Sequence, residues 1–282
     1  MEQSTIPCTV GILTYNNATT LGRALESVEG FAEVVVCDGG SDDDTLSIAQ
    51  EYGARVITQG TSYQDEDGRV IDFAGVMNQL VESASAPWFY KLDSDECLSD
   101  GLRAEVRLRL ADAGATKAFR VPFKYVLKDV VIEQATTYPA SEPRLFRVDS
   151  GLRYERPVHE RLPIRPECTD KLSESHLKPL PTARSMMRKW AHYLQLEAEA
   201  EAEAYRGCGF AAWRDQCLRP HLKSAKYLTW KYSKVLRSGE GARLPARYEM
   251  PRIGNDVAAI VLTGVVAILG RRRRNQCLQR LR

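Results

Sequence analysis

The chain has 282 residues, 44% of them hydrophobic and 27% charged, which is an ordinary globular composition and excludes an intrinsically disordered chain, a collagen-like repeat and a polytopic membrane protein. The net charge of +2 hides an asymmetry. Residues 1–150 hold 13 Lys and Arg against 24 Asp and Glu, a net charge of −11, whereas residues 151–282 hold 26 against 13, a net charge of +13.

Short apolar runs alternate with helical patterns over the first 110 residues. The predicted strands are 9–14, 33–37, 55–58 and 88–92, and the predicted helices follow them at 17–28, from Ser41 to about Tyr52, 72–83 and 100–111. Ser41 followed by Asp44 resembles a capping box, Gly53 predicts the end of that helix, and Asp100 is the predicted cap of the fourth helix. Strands separated by helices of this length are typical of βαβ units and a mostly parallel sheet.

The sequence is less regular after residue 110 and changes character near Pro181. Strands are predicted at 118–127 and 144–148, with a loop at 138–143. Beyond Pro181 the sequence is helix-rich, aromatic and basic, and the Glu-Ala run at 197–204 consists of strong helix formers. We therefore expect two domains, residues 1–180 and a basic helical extension at 181–282.

Cysteine usage and the amino terminus bear on the cellular compartment. The seven cysteines are scattered and form no Cys-x-x-Cys pair, so a zinc ribbon and a disulfide framework are not expected. Cys8 and Cys37 lie in apolar runs and are predicted to be core residues. No basic stretch followed by an apolar one opens the sequence, so we expect no signal peptide and a cytoplasmic location.

Polar residues follow the first two predicted strands, where a parallel sheet binds its ligands. Thr14, Tyr15 and Asn16 offer a hydroxyl, a stacking ring and an amide. The Asp38 carboxylate can accept a hydrogen bond from a nucleobase or a ribose hydroxyl, and Gly39 lets the backbone approach a ligand closely. The plainer alternative is that these residues form turns that lead into helices.

An acidic pair, Asp93 and Asp95, ends the fourth predicted strand. If the extended geometry persists, both carboxylates lie on one side, because side chains alternate along a strand. Hard oxygen ligands at a strand end suit Mg²⁺ or Mn²⁺ bridged to a diphosphate. The alternative is that the acids begin a loop and cap a helix.

The three strand-end segments described above and a fourth, later segment resemble a known family. The segments are residues 10–16, residues 34–45 around Asp38-Gly39-Gly40-Ser41, Asp93-Ser94-Asp95 and Val158-His159-Glu160. Over roughly residues 6–165 they resemble family-2 glycosyltransferases, which are inverting enzymes with the GT-A nucleotide-sugar-binding fold. The likeness is greatest to the glucosyltransferase subgroup that builds the inner core of bacterial lipopolysaccharide.

This resemblance implies a donor site. Thr14, Tyr15 and Asp38 would hold the nucleoside of a nucleotide-sugar donor. Asp95, with Asp93 helping directly or through water, would hold Mg²⁺ or Mn²⁺ on the diphosphate, where the cation neutralises the charge of the leaving group.

The resemblance also implies an acidic residue that removes the proton of the acceptor hydroxyl as it attacks the anomeric carbon. Glu160 is the first candidate, and His159 would orient the acceptor or donate to a phosphate or the metal. The weaker candidates for the base are Glu96 and Glu142. The alternative for Glu160 is a plain ion pair with Arg156 or Arg161.

The basic half suggests a membrane partner. Val257–Gly270 is a tract of 14 mostly apolar residues followed by four arginines, too short for a regular span. It is compatible with a buried helix, an interfacial or re-entrant segment, or a span. The aromatic and basic region 190–237 favours peripheral membrane contact, at the cytoplasmic face of the inner membrane.

The sequence therefore predicts a glycosyltransferase that moves a sugar from a nucleotide-sugar donor to a lipopolysaccharide-core or other lipid-linked glycan acceptor. The alternative function is a non-catalytic protein of the same fold that binds sugars or nucleotides or scaffolds a membrane complex. Nucleic acid is not an expected partner, because the basic residues are interrupted by Glu-rich stretches and no recognised motif is present.

Overall fold

The computed structural model describes residues 4–66, 68–157, 160–188, 191, 209–239, 241–251, 254–261 and 263–264. Contacts divide the chain into two compact units. The first unit is Met1–Val126 with Pro139–Pro179, and the second is Leu127–Tyr138 with Leu180–Arg282. The division of the sequence at residue 180 stays a prediction.

The described strands and helices of the first unit alternate up to residue 111, except that two strands follow each other between residues 88 and 98. The strands of the chain are β1 (Ile6–Thr14), β2 (Phe31–Asp38), β3 (Arg55–Thr58), β4 (Trp88–Asp93), β5 (Cys97–Leu98), β6 (Ala118–Leu127), β7 (Val130–Val131), β8 (Ser141–Arg147), β9 (Thr169–Lys171) and β10 (His176–Pro179). The helices of the first unit are α1 (Ala18–Glu26), α2 (Thr45–Glu51), α3 (Phe73–Ser83) and α4 (Asp100–Ala111). Short 3₁₀ turns lie at Thr61–Tyr63, Val148–Ser150 and Pro166–Cys168.

The sheet of the first unit runs in the order β3-β2-β1-β4-β8-β6-β10-β5. Strand β1 is central and pairs in parallel with β2 and β4, and β2 pairs in parallel with β3. Strand β8 runs antiparallel between β4 and β6, and β5 runs antiparallel to β10. The prediction of a mostly parallel α/β sheet flanked by helices is confirmed.

Both faces of the sheet are covered, which explains the continuous apolar runs of its parallel strands. On one face Val10 and Ile12 of β1 join a cluster with residues of α1 and α4. On the other face Val35 and Phe89 join a cluster with residues of α3. Cys8 and Cys37 lie in these two clusters, one in each, with no exposed surface, as predicted.

Several element boundaries differ from the prediction, and three of the differences have a visible cause. Helix α2 begins at Thr45, with Asp44 at the N-cap, because the Ser41 hydroxyl is bound to Asp38 and does not cap the helix. Helix α4 is capped by Ser99, whose side chain accepts from the Leu102 N–H, and Asp100 is its first residue. Strand β8 begins at Ser141, inside the predicted loop, where it pairs with β6.

The second unit is largely helical where it is described. Helix α5 (Gly209–Trp213) continues through a π-helical turn (Arg214–Leu218) into α6 (Arg219–Arg237). Residues 183–188, 246–251 and 254–261 are also helical. The predicted C-terminal helices are thus confirmed, whereas the Glu-Ala run at 197–204 lies outside the described residues.

The apolar tract begins as an amphipathic helix. Ala259 and Thr263 are buried, and the Thr263 hydroxyl accepts a hydrogen bond from Trp213 Nε1 at 3.0 Å. Val257 and Val261 are exposed, and residues 265–270 of the tract lie outside the described part. Across the described residues, no helix combines the length and the apolar character that a bilayer span requires.

Candidate active site

Three strand ends meet at one edge of the sheet. The register pairs Thr14 of β1 with Asp38 of β2, and Leu13 of β1 with Asp93 of β4. Because these strands are parallel, the predicted residues Thr14, Asp38 and Asp93 come together at the edge where ligands bind in such sheets.

Asp38 holds the turn that follows β2. Its side chain is buried, with 4% of the residue exposed, and both carboxylate oxygens accept hydrogen bonds. The N–H groups of Gly40 and Ser41 each donate to Oδ2 at 2.8 Å, while the hydroxyls of Thr14 and Ser41 donate to Oδ1 at 3.1 and 2.5 Å. Gly40 has a φ of +92°, which favours glycine. Asp38 therefore shapes the turn that presents Gly39, and its direct contact with a nucleoside stays a prediction.

Asn16 ties the first strand end to this turn. Its backbone has a φ of +52°, a conformation that Asn tolerates better than most residues. Its N–H donates to Ser41 Oγ at 2.9 Å, and its side-chain Oδ1 accepts from the Asp42 N–H at 3.0 Å. The neighbouring Tyr15 is 62% exposed, so its ring is accessible for stacking.

A cleft of about 600 Å³ lies beside these residues and has the size of a small-molecule site. Thr14, Tyr15 and Gly39 line it, and so do Gln59 and Arg69, which sequence reasoning missed. Asn16 and Asp38 do not line the cleft, but their hydrogen bonds described above hold the turn after β2 that contributes Gly39 to it. The buried Gln59 side chain donates to the carbonyl oxygens of Thr14 and Cys37 at 3.4 Å, and thereby links the ends of β1 and β2.

A cluster of charged side chains surrounds the buried Arg144 beside Asp93. Arg144 of β8 is 4% exposed, and its Nη2 lies 3.1 Å from Asp93, 3.3 Å from Glu96 and 2.6 Å from Glu142. Lys178 Nζ lies 3.1 Å from Glu96 and 2.9 Å from Glu142. The positive charges of Arg144 and Lys178 thus compensate the negative charges of three carboxylates. We call these five side chains, Asp93, Glu96, Glu142, Arg144 and Lys178, the Arg144 cluster.

The cluster perturbs the pKa of each carboxyl group differently. Burial and the nearby negative charge of Asp93 raise the pKa of Glu96 to about 7. Burial also acts to raise the pKa of Glu142, but Arg144 and Lys178 outweigh it and lower that pKa to about 2. Despite burial, Arg144 and Lys91 hold the pKa of Asp93 well below its usual range. Asp93 is therefore ionised at neutral pH.

Lys91 connects Asp93 with the candidate base. Lys91 Nζ donates to Glu160 Oε1 at 2.6 Å and lies 3.8 Å from Asp93 Oδ1. Glu160 does form an ion pair, as the alternative held, but its partner is Lys91 and not Arg156 or Arg161. Glu160 thus lies at the same strand edge as Asp93. Val158 and His159 lie outside the described residues.

Asp95 occupies a turn and not an extension of β4. The Glu96 N–H donates to the Asp93 carbonyl at 2.9 Å, which closes a turn around Ser94 and Asp95. The extended geometry assumed for the Asp93 and Asp95 pair therefore ends at Asp93. Asp95 itself is exposed, and the Asp93 carboxylate is bound to Arg144.

These donors fit a cation that is shared with a substrate. Within the described ranges, no three His, Cys, Asp or Glu side chains are grouped as a metal site. An exposed carboxylate such as Asp95 suits Mg²⁺ or Mn²⁺ that takes its other ligands from diphosphate oxygens and water. A role of Asp93 at such a cation, directly or through water, stays a prediction.

Sequence reasoning missed Lys91, Arg144 and Lys178. A signal was nevertheless present, because Lys91 and Arg144 stand inside otherwise apolar strands. A charge in such a place requires a partner, since burial of an unpaired ion is costly.

Comparison with known proteins identifies the family. The family model described as glycosyl transferase family 2 matches residues 9–168. The lipopolysaccharide core biosynthesis glycosyltransferase LpsC of Rhizobium meliloti (strain 1021) is 27% identical over 203 residues, which cover 71% of this chain and 73% of LpsC. Glycosyltransferase SunS of Bacillus phage SPbeta is 28% identical over 165 residues, which cover 56% of this chain but only 36% of SunS.

A solved structure was also found to be similar. Glucosyl-3-phosphoglycerate synthase from Mycobacterium tuberculosis, in complex with Mn²⁺, UDP and glucosyl-3-phosphoglycerate, has 21% sequence identity and a TM-score of 0.31, over 43% of this chain and 44% of that one. Because the family model matches more than half of the chain, this glycosyltransferase belongs to glycosyl transferase family 2.

Proposed function

We propose that the protein is an inverting glycosyltransferase that moves a sugar from a nucleotide-sugar donor to a cell-envelope acceptor, such as lipopolysaccharide core or another lipid-linked glycan. The observation that carries the proposal is the meeting of Thr14, Asp38 and Asp93 beside a cleft of about 600 Å³. The similarity to LpsC supports the class of acceptor.

The donor nucleoside would lie in the cleft. Thr14, Tyr15 and Gly39 line it, so the exposed Tyr15 ring is placed to stack and the Gly39 backbone to approach closely. Asp38 and Asn16 keep the turn after β2 in its conformation before a ligand arrives. Such preorganisation lowers the entropy lost on binding.

The diphosphate would lie towards Asp95. A divalent cation held by Asp95 would neutralise the negative charge of the leaving nucleoside diphosphate. Asp93, fixed by Arg144, would order the ligands of that site through water. His159 would orient the acceptor or donate to a phosphate.

Glu160 would accept the proton of the acceptor hydroxyl. Lys91 fixes one oxygen of the Glu160 carboxylate at 2.6 Å, and the second oxygen can face the acceptor. A general base positioned in this way contributes about 10²–10⁴-fold to a rate. The acceptor oxygen would then attack the anomeric carbon on the face opposite the leaving group, which inverts the configuration.

The acceptor class implies a place of action. A lipid-linked acceptor would bring the protein to the cytoplasmic face of the inner membrane as a peripheral protein. The positive charge of residues 151–282 supports contact with anionic lipid headgroups there.

One experiment with two variants tests this function. UDP-, GDP- and ADP-sugars are offered with Mn²⁺ or Mg²⁺, and both hydrolysis of the donor and thermal stability are measured. We expect one nucleotide to stabilise the protein, by about 2.7 kcal/mol at 100 times its Kd. Asp95→Asn should abolish the metal-dependent part of both signals. The control Asp100→Asn alters an exposed acid on α4 and should leave both unchanged.

The variant Glu160→Gln separates chemistry from donor binding. It should keep the thermal shift and lower the rate by about 10²-fold or more. A protein that no nucleotide stabilises, with or without metal, would contradict the donor site. A thermal shift without any turnover, on donor alone or with lipopolysaccharide-core acceptors, would support the non-catalytic alternative.

A further inference from the structure

Helix α6 is strongly basic along its whole length. Its 19 residues, Arg219–Arg237, contain six Lys and Arg and no Asp or Glu. Solvated helices usually carry both acidic and basic side chains, so a helix with basic side chains alone indicates an anionic partner.

Its cations and aromatic rings share one face. Positions 223, 227, 230 and 234 follow the spacing i, i+4, i+7 and i+11, which places their side chains on the same side of a helix. Lys223 and Lys234 are exposed, Tyr227 is 53% exposed and Trp230 is 51% exposed. Val235, which lies on another side, is buried. We call Lys223, Lys226, Tyr227, Trp230 and Lys234 the basic-aromatic face.

The two rings of this face are arranged as a pair with their own cations. The Tyr227 and Trp230 centroids are 5.9 Å apart, and Lys234 Nζ lies 4.0 Å from the Trp230 centroid. Exposed rings with adjacent ammonium groups match the boundary of a bilayer, where aromatic side chains lie at headgroup level and cations meet lipid phosphates.

An aliphatic side chain borders the face and favours a bilayer over a polynucleotide. Leu222 precedes Lys226 by four residues, which places it next to that lysine on the helix, and it is 52% exposed. Nucleic acids bind aromatic rings by stacking and cations through phosphate, but they offer aliphatic side chains no hydrocarbon. A lipid interface does offer it, and burial of apolar surface there is favourable.

We infer that the basic-aromatic face of α6 docks the protein on an anionic lipid bilayer. The biological role of this docking rests on the proposed function, because a lipid-linked acceptor is presented at such a surface. The inference adds to that function the residues of α6 that make the contact, and it gives no role to the tract at 257–270.

The test is binding of the full chain to vesicles. We compare phosphatidylcholine vesicles containing phosphatidylglycerol with vesicles of phosphatidylcholine alone, at low ionic strength. The triple variant Lys223→Gln, Lys226→Gln, Lys234→Gln should lower the partition coefficient on the anionic vesicles about 100-fold, since each Lys near such a surface contributes about 1 kcal/mol. The double variant Tyr227→Ala, Trp230→Ala should also bind more weakly.

A matched control removes the same charge elsewhere. Lys117→Gln, Lys128→Gln, Lys171→Gln alters three exposed lysines outside α6 and should bind within about twofold of the unaltered protein. Circular dichroism confirms that each variant is folded. Equal binding of the α6 triple variant, equal binding to the neutral vesicles, or binding to a single-stranded oligonucleotide in preference to anionic vesicles would overturn the inference.

Hydrolysis of a soluble donor is measured on the same samples. The α6 variants should retain it, since the residues placed in the donor site are not changed. Vesicle binding without hydrolysis would count against the proposed function alone, and hydrolysis without vesicle binding would count against the docking face alone.

Discussion

His176 of β10 has no exposed surface and lies beside the Arg144 cluster. Burial, reinforced by the positive charges of Arg144 and Lys178, lowers the pKa of His176 to about 3. An unfolded chain would protonate this residue near pH 6.5, so the unfolded state binds the extra proton first. The stability that neutral His176 contributes is therefore present above pH 6.5 and is lost as the pH falls towards 3.

Replacement of His176 by Phe should remove this pH dependence. The ring of Phe123 already lies 5.9 Å from the His176 ring, so an aromatic side chain is accommodated there. Between pH 7 and pH 5, the free energy of unfolding in urea should fall more steeply for the unaltered protein than for His176→Phe. Glu96 titrates in the same range with the opposite sign and is present in both proteins, so the difference between the two curves reports His176 together with its effect on Glu96, whose carboxylate lies 3.7 Å from the His176 ring.

The control for this prediction is Phe123→Leu, which changes packing beside His176 without removing a titrating group. It should keep the slope of the unaltered protein. Parallel curves for the unaltered protein and His176→Phe would mean that His176 does not titrate on unfolding in this range.

Single residues were predictable where the sequence places them at strand ends. Thr14, Asp38 and Asp93 follow apolar runs, and the parallel register alone brings them together. Their partners were not predictable, because Arg144 is 51 residues from Asp93 and meets it only through the pairing of β8 with β4. The same holds for Lys91 and Glu160, which are 69 residues apart.

At the scale of elements, β1 is constrained by its neighbour β4. A Cβ atom at Gly11 would lie 2.3 Å from Phe89 Cζ. The Phe89 ring cannot easily move, because it packs in the second core cluster with its centroid 5.4 Å from that of Phe146. The glycine is therefore required for β1 and β4 to pair at this position.

Gly11→Ala should lower the free energy of unfolding by about 1–3 kcal/mol, the usual cost of overpacking a core. Gly22→Ala is the matched control on α1, where the nearest heavy atom is at an ordinary 3.8 Å. It should raise the free energy of unfolding by about 0.5–1 kcal/mol, because alanine favours helix over glycine. Denaturant unfolding measures both, and a neutral Gly11→Ala would show that the Phe89 ring relocates at little cost.

Helix α2 shows why element types were easier to predict than boundaries. Its apolar spacing and the glycine at residue 53 are local signals, and both were read correctly. Its start depends on which partner the Ser41 hydroxyl takes. The Ser41 hydroxyl donates to Asp38 and accepts from the Asn16 N–H. Asn16 follows a different strand, so local sequence around Ser41 does not reveal this partner.

At the scale of the whole molecule, the opposite charges of the two halves imply different responses to salt. Arg144 is buried and lies 3.1 Å from Asp93 and 2.6 Å from Glu142, so mobile ions screen these ion pairs less than pairs on the open surface. The Lys side chains of the basic-aromatic face are exposed, and their attraction to a charged surface falls off within a Debye length.

Raising the NaCl concentration from about 0.05 to 0.5 M should therefore release the protein from anionic vesicles while hydrolysis of a soluble donor changes by less than about twofold. Sedimentation and a donor-hydrolysis assay on the same samples measure the two effects. Potassium glutamate at equal ionic strength controls for chloride. Parallel loss of both signals would show that one electrostatic contact serves both.

The Arg144 cluster also constrains how this sequence can evolve. Loss of Arg144 alone would take the shared cation from the buried Glu96 and from the partly exposed Asp93 and Glu142, and removal of one partner from a buried ion pair such as Arg144–Glu96 typically costs about 3–5 kcal/mol. That is a large part of the roughly 5–15 kcal/mol by which a domain is stable. A substitution of Arg144 by itself should therefore be selected against, and we expect Glu96, Glu142, Arg144 and Lys178 to vary together among relatives of this protein.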